Sequence, residues 1–401
     1  MTNTPSQSTS SSSDSPFTLS PSFVPQFHYP DRLLVGPGPS NVDPIVLSTM
    51  SRPLLGHLDP DFLHLMSMTQ DMLRHLYRTD YPLTIPISAT GMAGMECCFV
   101  NLIEPGDTVI VCCNGFFSQR MVDIATRAGA KVITFQRPWG EVFEENDLNA
   151  IEEILKKEKP KALGIVHAET STGACQPLDR LGKLCHQYGT LLIVDAVTSL
   201  GCIPLEVKKW EIDAVYSCSQ KGLSCPPGLS PVSFSPRAEE VMAGRKTKVQ
   251  SWYLDLTMIR QYWNSDRAYH HTAPITMIFA LFEGLRLIFT QGLENRWEMH
   301  QKNHLALKAG LEAIGLEYQA NPKYQLPQLN VVKIPIGIED LKFRKTLLNE
   351  YRMEIGGGLG EFKGKVWRIG LMGCNSNPAI VSKILSNMEQ CLISQGKAIP
   401  K

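Results

Sequence analysis

At 401 residues the chain is longer than one hydrophobic core comfortably serves, so two domains are expected. Apolar residues make up 43% and charged residues 19%, the balance of an ordinary globular protein. Its 39 basic and 39 acidic side chains cancel, and no basic run, zinc-finger spacing or aromatic-basic interleaving occurs; nucleic acid and an anionic membrane are excluded as main partners.

Residues 1–22 are rich in Ser, Thr and Pro, contain no lysine or arginine, and are expected to form a flexible tail. They lack the basic start and apolar core of a signal peptide and the arginines of a transit peptide. Arg32 to Asn41 reads as a short extended piece running into a Pro/Gly turn. Asp43 is placed to cap a helix from Pro44, and a second helix spans Pro60 to Tyr77. From Leu83 the pattern alternates. Strands are predicted at Thr84–Ser88, Thr108–Cys112, Lys131–Phe135, Ala162–His167, Leu191–Asp195, Asp213–Ser219 and Leu229–Phe234. Helices separate most of them, including one from Asp147 to Glu158 capped by its own aspartate. Strands alternating with helices of this length indicate a mainly parallel sheet covered on both faces, an α/β fold. A long linking region follows from about Lys246 to His300. Its apolar stretch Ile275–Phe289 carries Glu283 and Arg286 and is too short to span a bilayer. The remainder reads as a smaller α+β domain, with strands at Leu329–Ile334 and Val366–Ile369 and a closing helix from Pro378 to Ile393. The expected division is 23–295 and 296–401.

The eleven cysteines are odd in number, include the adjacent pairs Cys97-Cys98 and Cys112-Cys113, and form no Cys-x-x-Cys. Reduced, buried thiols are expected, as in a cytosolic protein.

Two runs carry the chemistry. L-L-I-V-D ends on Asp195, and D-A-V-Y-S-C-S-Q-K ends on Lys221. In an open α/β sheet, ligands bind beyond the carboxyl ends of the strands, so this acid and this base face one crevice. The pair suits pyridoxal 5'-phosphate (PLP), which takes a lysine for its Schiff base and a carboxylate for its pyridine nitrogen; a salt bridge at a sheet edge is the plainer reading. Thr90-Gly91-Met92 stands where a strand gives way to a helix, a place for a phosphate or simply a glycine turn. Phe117 opens another helix, as a core residue or as a ring stacked on a planar cofactor. Glu169-Thr-Ser-Thr-Gly173 offers hydroxyls at a strand end, for a ligand or for local turn bonds. Arg368, in K-V-W-R-I-G, has the fork that matches a carboxylate. The glycines Gly356-Gly-Gly-Leu-Gly360 let the chain bend before that strand. Tyr269-His-His-Thr272 lacks a third ligand spaced for a metal.

These motifs occur together with P-P-G after the lysine, V-D-A-V-T-S-L-G before it, E-T-S-T-G-x-x-Q-P-L, Y-H-H-T and R-I-G-L-M-G. The set resembles the class V PLP-dependent aminotransferases, nearest to their alanine–glyoxylate (serine–pyruvate) group, from about residue 30 to residue 395. The resemblance implies a fold-type I subunit acting as a homodimer, and amino transfer from alanine or serine to glyoxylate. It also implies that Lys221 bonds the cofactor and that Asp195 holds the pyridine nitrogen. Val197 and Phe117 would flank the ring, and Thr90, Gly91, Met92 and Gln220 would line the phosphate region. Thr170 would sit near the ring hydroxyl and Arg368 on the substrate carboxylate, while Tyr269 and Thr272 would reach in from the neighbouring subunit. Met92 replaces a histidine of animal relatives and Phe117 a tryptophan. The final Ile-Pro-Lys is not a peroxisomal tripeptide, which points to a cytoplasmic protein. A cysteine desulfurase would carry histidine where Gln220 stands. A non-catalytic subunit would have no need of Lys221, Asp195 and Arg368 together.

Overall fold

Apolar runs such as Thr108–Cys113 (T-V-I-V-C-C), buried along nearly their whole length, are what a strand covered on both faces requires. The structure, a computed structural model, describes residues 26–400, so the expected tail at 1–22 lies outside the described residues. Seven strands form one sheet in the order Leu83–Ile87, Ser230–Phe234, Ala214–Tyr216, Leu191–Asp195, Ala162–Val166, Thr108–Cys113, Lys131–Gln136, the last an edge strand without a fully buried residue. Only Ser230–Phe234 runs against its neighbours; the others are mutually parallel. The mainly parallel α/β architecture is as the alternating pattern requires. Its register sets Val166 beside Asp195, and Asp195 beside Tyr216, so three strand ends converge on one edge.

Strand Leu329–Lys333 pairs antiparallel with Val366–Gly370, whose other edge takes Gly356–Gly357. Its core is separate from that of the large sheet and is anchored by Trp367, stacked on Phe343 at 3.9 Å between ring centroids, with its indole N–H on Asp340. Leu33–Leu34 pairs in parallel with Met353–Glu354, and Val35 belongs to this second core. The first residues of the 33–400 unit are therefore built into its C-terminal part. Residues 26–32, taken by themselves, have no regular structure; Phe27 and Tyr29 meet edge to face.

Helix starts follow their caps. Asp43 Oδ1 accepts from Ile45 N at 2.8 Å, and Asn377 Oδ1 from Ile380 N at 3.0 Å. The helix expected from Asp147 begins earlier, at Glu145. Asp147 folds its carboxylate back onto Glu144 N at 2.9 Å, making a capping box rather than the cap itself. The linking region is largely helical: Leu256–Trp263, Ile275–Gln291, and the start of a 21-residue helix, Leu293–Ala313. No single helix among the described residues is long and apolar enough to cross a bilayer.

Candidate active site

Asp195 ends its strand with the side chain almost fully buried. Oδ1 accepts from Val197 N at 2.8 Å, and Oδ2 accepts from the Tyr216 hydroxyl at 2.8 Å. Burial pushes its carboxyl up to about 6, against these two donors and the Lys221 charge, which favour the anion. Lys221 lies five residues past Tyr216. It too is buried, and desolvation lowers its ammonium, with Arg368 acting in the same direction and Cys218 and Asp195 opposing. Its amine makes no hydrogen bond among the described residues, while its backbone is held tightly. Ser40 Oγ donates to Lys221 O at 2.9 Å, and Ser40 N donates to Gln220 O at 2.9 Å. Gly38, at φ +115°, leaves no room for a side chain: a Cβ there would lie 2.8 Å from Lys221 Cε. The Pro/Gly turn read from the sequence thus forms a wall against the lysine stem.

Glu169 is the residue of its loop that sequence reading passed over. Fully buried, it accepts from Ser171 Oγ (2.6 Å), Ser171 N (3.1 Å), Phe117 N (3.2 Å) and Ser118 N (3.4 Å). It therefore caps the helix Phe116–Arg127 from another strand's loop. Burial raises its carboxyl, opposed by the same hydrogen bonds. Thr170, beside it, is buried, and Phe117 is half-buried at the helix start. Across the site Arg368 is 7% exposed, with Nε bonded to Gly357 O at 2.7 Å and no other hydrogen bond among the described residues. Burial draws its guanidinium down to about 10, with Glu169 opposing. Gly356 and Gly357 do more than bend the chain: they pair with the Arg368 strand, and Gly357 supplies the carbonyl that aims the guanidinium.

Thr90 caps the helix Gly91–Leu102 without a side-chain bond. A Cβ on Gly91 would meet Cys218 at 3.0 Å and Val197 at 3.3 Å, so this helix start abuts the Asp195 loop. Gln220 Oε1 is buried with no partner among the described residues. Met92 Sδ lies 3.7 Å from Arg120 Nη1. Tyr269 and Thr272 are exposed and bond to each other at 3.4 Å, and to none of the other expected site residues. The two histidines between them join Nδ1 to Nδ1 at 2.8 Å, and His271 Nε2 reaches Ser88 Oγ at 2.7 Å. They act as a hydrogen-bonded link to the end of the first sheet strand. Among the described residues no group of His, Cys, Asp and Glu could hold a metal.

Tyr216 was legible only as one more strand residue. Its position as register partner of Asp195 depends on which strands are neighbours. Arg296, whose guanidinium bonds Gly222 O beside the lysine, gave no local signal at all.

A buried lysine and a buried carboxyl near neighbouring strand ends of an α/β sheet are the pair that a PLP-dependent transferase requires. The family described as Aminotransferase class-V matches residues 48–361. The chain is 40% identical to the alanine–glyoxylate aminotransferase of Callithrix jacchus over 367 residues, 90% of this chain and 88% of that one. It is 38% identical to the (S)-ureidoglycine–glyoxylate transaminase of Bacillus subtilis over 388 residues, 92% of each. Its fold matches the crystal structure of an alanine–glyoxylate aminotransferase from Nostoc sp. with a TM-score of 0.90 at 49% identity, covering 94% of this chain and 97% of that one. The chain belongs to the class-V aminotransferases and is a PLP-dependent enzyme. Its residues fit that cofactor: among the described residues the amine of Lys221 makes no hydrogen bond and Gln220 Oε1 has no partner, the helix at Gly91 opens without a side-chain cap there, and Asp195 is buried.

Proposed function

We propose that this enzyme moves an amino group from a small neutral amino acid, alanine or serine, to glyoxylate, giving glycine and pyruvate or hydroxypyruvate. The observation that carries the reading is a buried Lys221 amine together with a buried Arg368 whose only hydrogen bond among the described residues is through Nε. PLP, when bound, supplies an electron-accepting ring. Asp195 would hold the cationic nitrogen of that ring, and Val197 and Phe117 would flank it. Thr170 would lie by its hydroxyl, and Thr90, Gly91, Met92 and Gln220 would hold the phosphate region. Lys221 Nζ would hold the cofactor covalently, and its neutral amine would be the group that moves a proton at the substrate α-carbon. Burial, which lowers its ammonium, favours the neutral amine this needs. Arg368 takes the substrate carboxylate in two-point fashion and so orients the α-carbon towards the lysine.

Arg344, whose charge also acts on Arg368, is already committed to Asp340 through bonds of 2.8 and 3.0 Å. A second carboxylate on the substrate would go unpaired, which favours neutral donors over aspartate or glutamate. The curated relatives quoted above share glyoxylate in their names and differ in the donor, so the acceptor is the better supported half. We further propose a homodimer in which Tyr269 and Thr272 complete the partner's phosphate site. Their exposure, and the exposed Ile45, Leu47, Leu54 and Leu58, support it. The expected division near residue 295 rests on two sheets with separate cores; helix Leu293–Ala313 runs across it. A cytoplasmic site is favoured by eleven cysteines that all stand unpaired.

A rate matrix of alanine, serine, glycine and glutamate against glyoxylate, pyruvate and hydroxypyruvate tests the reading. Alanine or serine with glyoxylate should be fastest. Arg368→Lys should raise KM for every amino acid by about tenfold or more, because the charge stays but the fork is lost. Efficient use of glutamate by the wild type contradicts the proposal.

A further inference from the structure

A helix on the surface of a core normally buries an apolar stripe. Helix Leu293–Ala313 buries Arg296, His300, Asn303 and His304 on one face before its apolar Leu307 and Leu311. Buried polar groups persist only when they are bonded. Here the partners fall into two sets. Arg296 donates through Nη2 to Gly222 O at 2.6 Å and through Nε to Gly201 O at 2.9 Å; Gly222 directly follows Lys221. Further along the face, His300 Nε2 accepts from Gly373 N at 3.1 Å, and Asn303 donates to Ser376 Oγ at 3.1 Å. His304 Nδ1 lies 2.7 Å from Asn330 Oδ1, and Asn330 is the register partner of Ile369, next to Arg368. Because Arg296 O can only accept, His300 Nδ1, at 2.8 Å from it, carries the proton and Nε2 is the acceptor. The two loops also touch directly: Ser224 Oγ accepts from Cys374 N at 2.8 Å, and a Cβ on Gly373 would lie 1.9 Å from that oxygen.

We propose that Arg296 and His300 are positioning residues, a bracket that fixes the Lys221 loop against the strand carrying Arg368 and thereby sets affinity for the substrate carboxylate. It rests on the reading of Arg368 as the carboxylate site. One end of the bracket holds the carbonyl beside the lysine. The other holds the loop that leaves the arginine's strand. Losing either end frees one group relative to the other without touching the substrate, and misplacement of this kind costs affinity and rate together.

The test uses cofactor-loaded enzyme and propionate, a carboxylate with no amino group to react. Its dissociation constant is measured by calorimetry, alongside KM and kcat for alanine and the covalent cofactor load by mass spectrometry after borohydride reduction. In His300→Leu, the propionate constant and KM should rise together by about tenfold or more, with the cofactor load unchanged. His300→Gln, which places an acceptor near the former Nε2, should stay within roughly threefold of wild type. If His300→Leu does not fold, Arg296→Lys, which keeps the charge but cannot span both carbonyls, carries the same expectation. A loaded variant that binds propionate as wild type does and loses only thermal stability overturns the proposal. Arg368→Lys separates the two readings. If it leaves propionate binding unchanged, the carboxylate site is elsewhere and the bracket falls with it; if it weakens binding and neither bracket variant does, the bracket alone is wrong.

Discussion

Asp195 keeps its carboxyl near neutrality's edge because burial opposes the charge while Tyr216 and Val197 favour it. A group raised to about 6 stabilises the cofactor-free fold when protonated, and that contribution is lost as pH rises through about 6. Under the proposed pairing of Asp195 with the cofactor nitrogen, binding runs the other way, because that nitrogen needs the anion. Affinity should fall by up to about tenfold per pH unit below 6. Equilibrium titration of the cofactor-free protein checks this, with Asp195→Asn as the reference that lacks the step. That variant should also lose on the order of 10²–10⁴ in rate, as proton-transfer partners do. Tyr216→Phe removes one of the two donors and should move the midpoint upward, at a cost of about 1–2 kcal/mol in stability; an unmoved midpoint would show that the hydroxyl does not act on Asp195. Lys221→Ala should still bind PLP by dialysis but show no added mass after borohydride reduction. A covalent adduct in that variant would assign the bond to another amine.

At the scale of elements, the helix bearing Phe117 is held at its start by Glu169, a residue from a different βα loop. Gly115 makes this possible: its backbone is extended, so any residue could adopt it, but a Cβ would stand 2.3 Å from Glu169 Cγ. Gly115→Ala should therefore displace the cap and lower stability by about 1–3 kcal/mol. Glu169→Gln, which turns one acceptor into a donor facing N–H groups, should act similarly, with weaker PLP binding as Phe117 shifts. Unchanged melting and unchanged PLP affinity in both would remove Glu169 from this role. Helix starts were readable where the cap is local, as at Asp43, and misread where two acids compete, as at Glu144 and Asp147. Helix Leu293–Ala313 escaped recognition as one element because its buried face is half polar, which erases the apolar period of 3.6 on which such a reading depends.

For the whole molecule, the proposed shared site makes a direct prediction. Mixing Lys221→Ala subunits with Tyr269→Ala/Thr272→Ala subunits should restore roughly a quarter of wild-type activity, since half the dimers are mixed and each has one complete site. No recovery, or a fully active monomer by sedimentation, would place each site within one chain. What the sequence determined by itself was local chemistry in order: the strand runs, the acid and the lysine at their ends, the glycine before a helix, and the motif series that marks the family. Those signals survive in one dimension because each depends on a few consecutive residues. What only the tertiary structure decided was which distant groups meet: Tyr216 on Asp195, Glu169 beneath Phe117, Ser40 and Gly38 around Lys221, and Arg296 on the carbonyl beside it. The Ser40–Lys221 bond alone joins residues 181 positions apart. Strand order and helix packing create these contacts, and a buried polar side chain gives no sign in sequence of which partner will satisfy it.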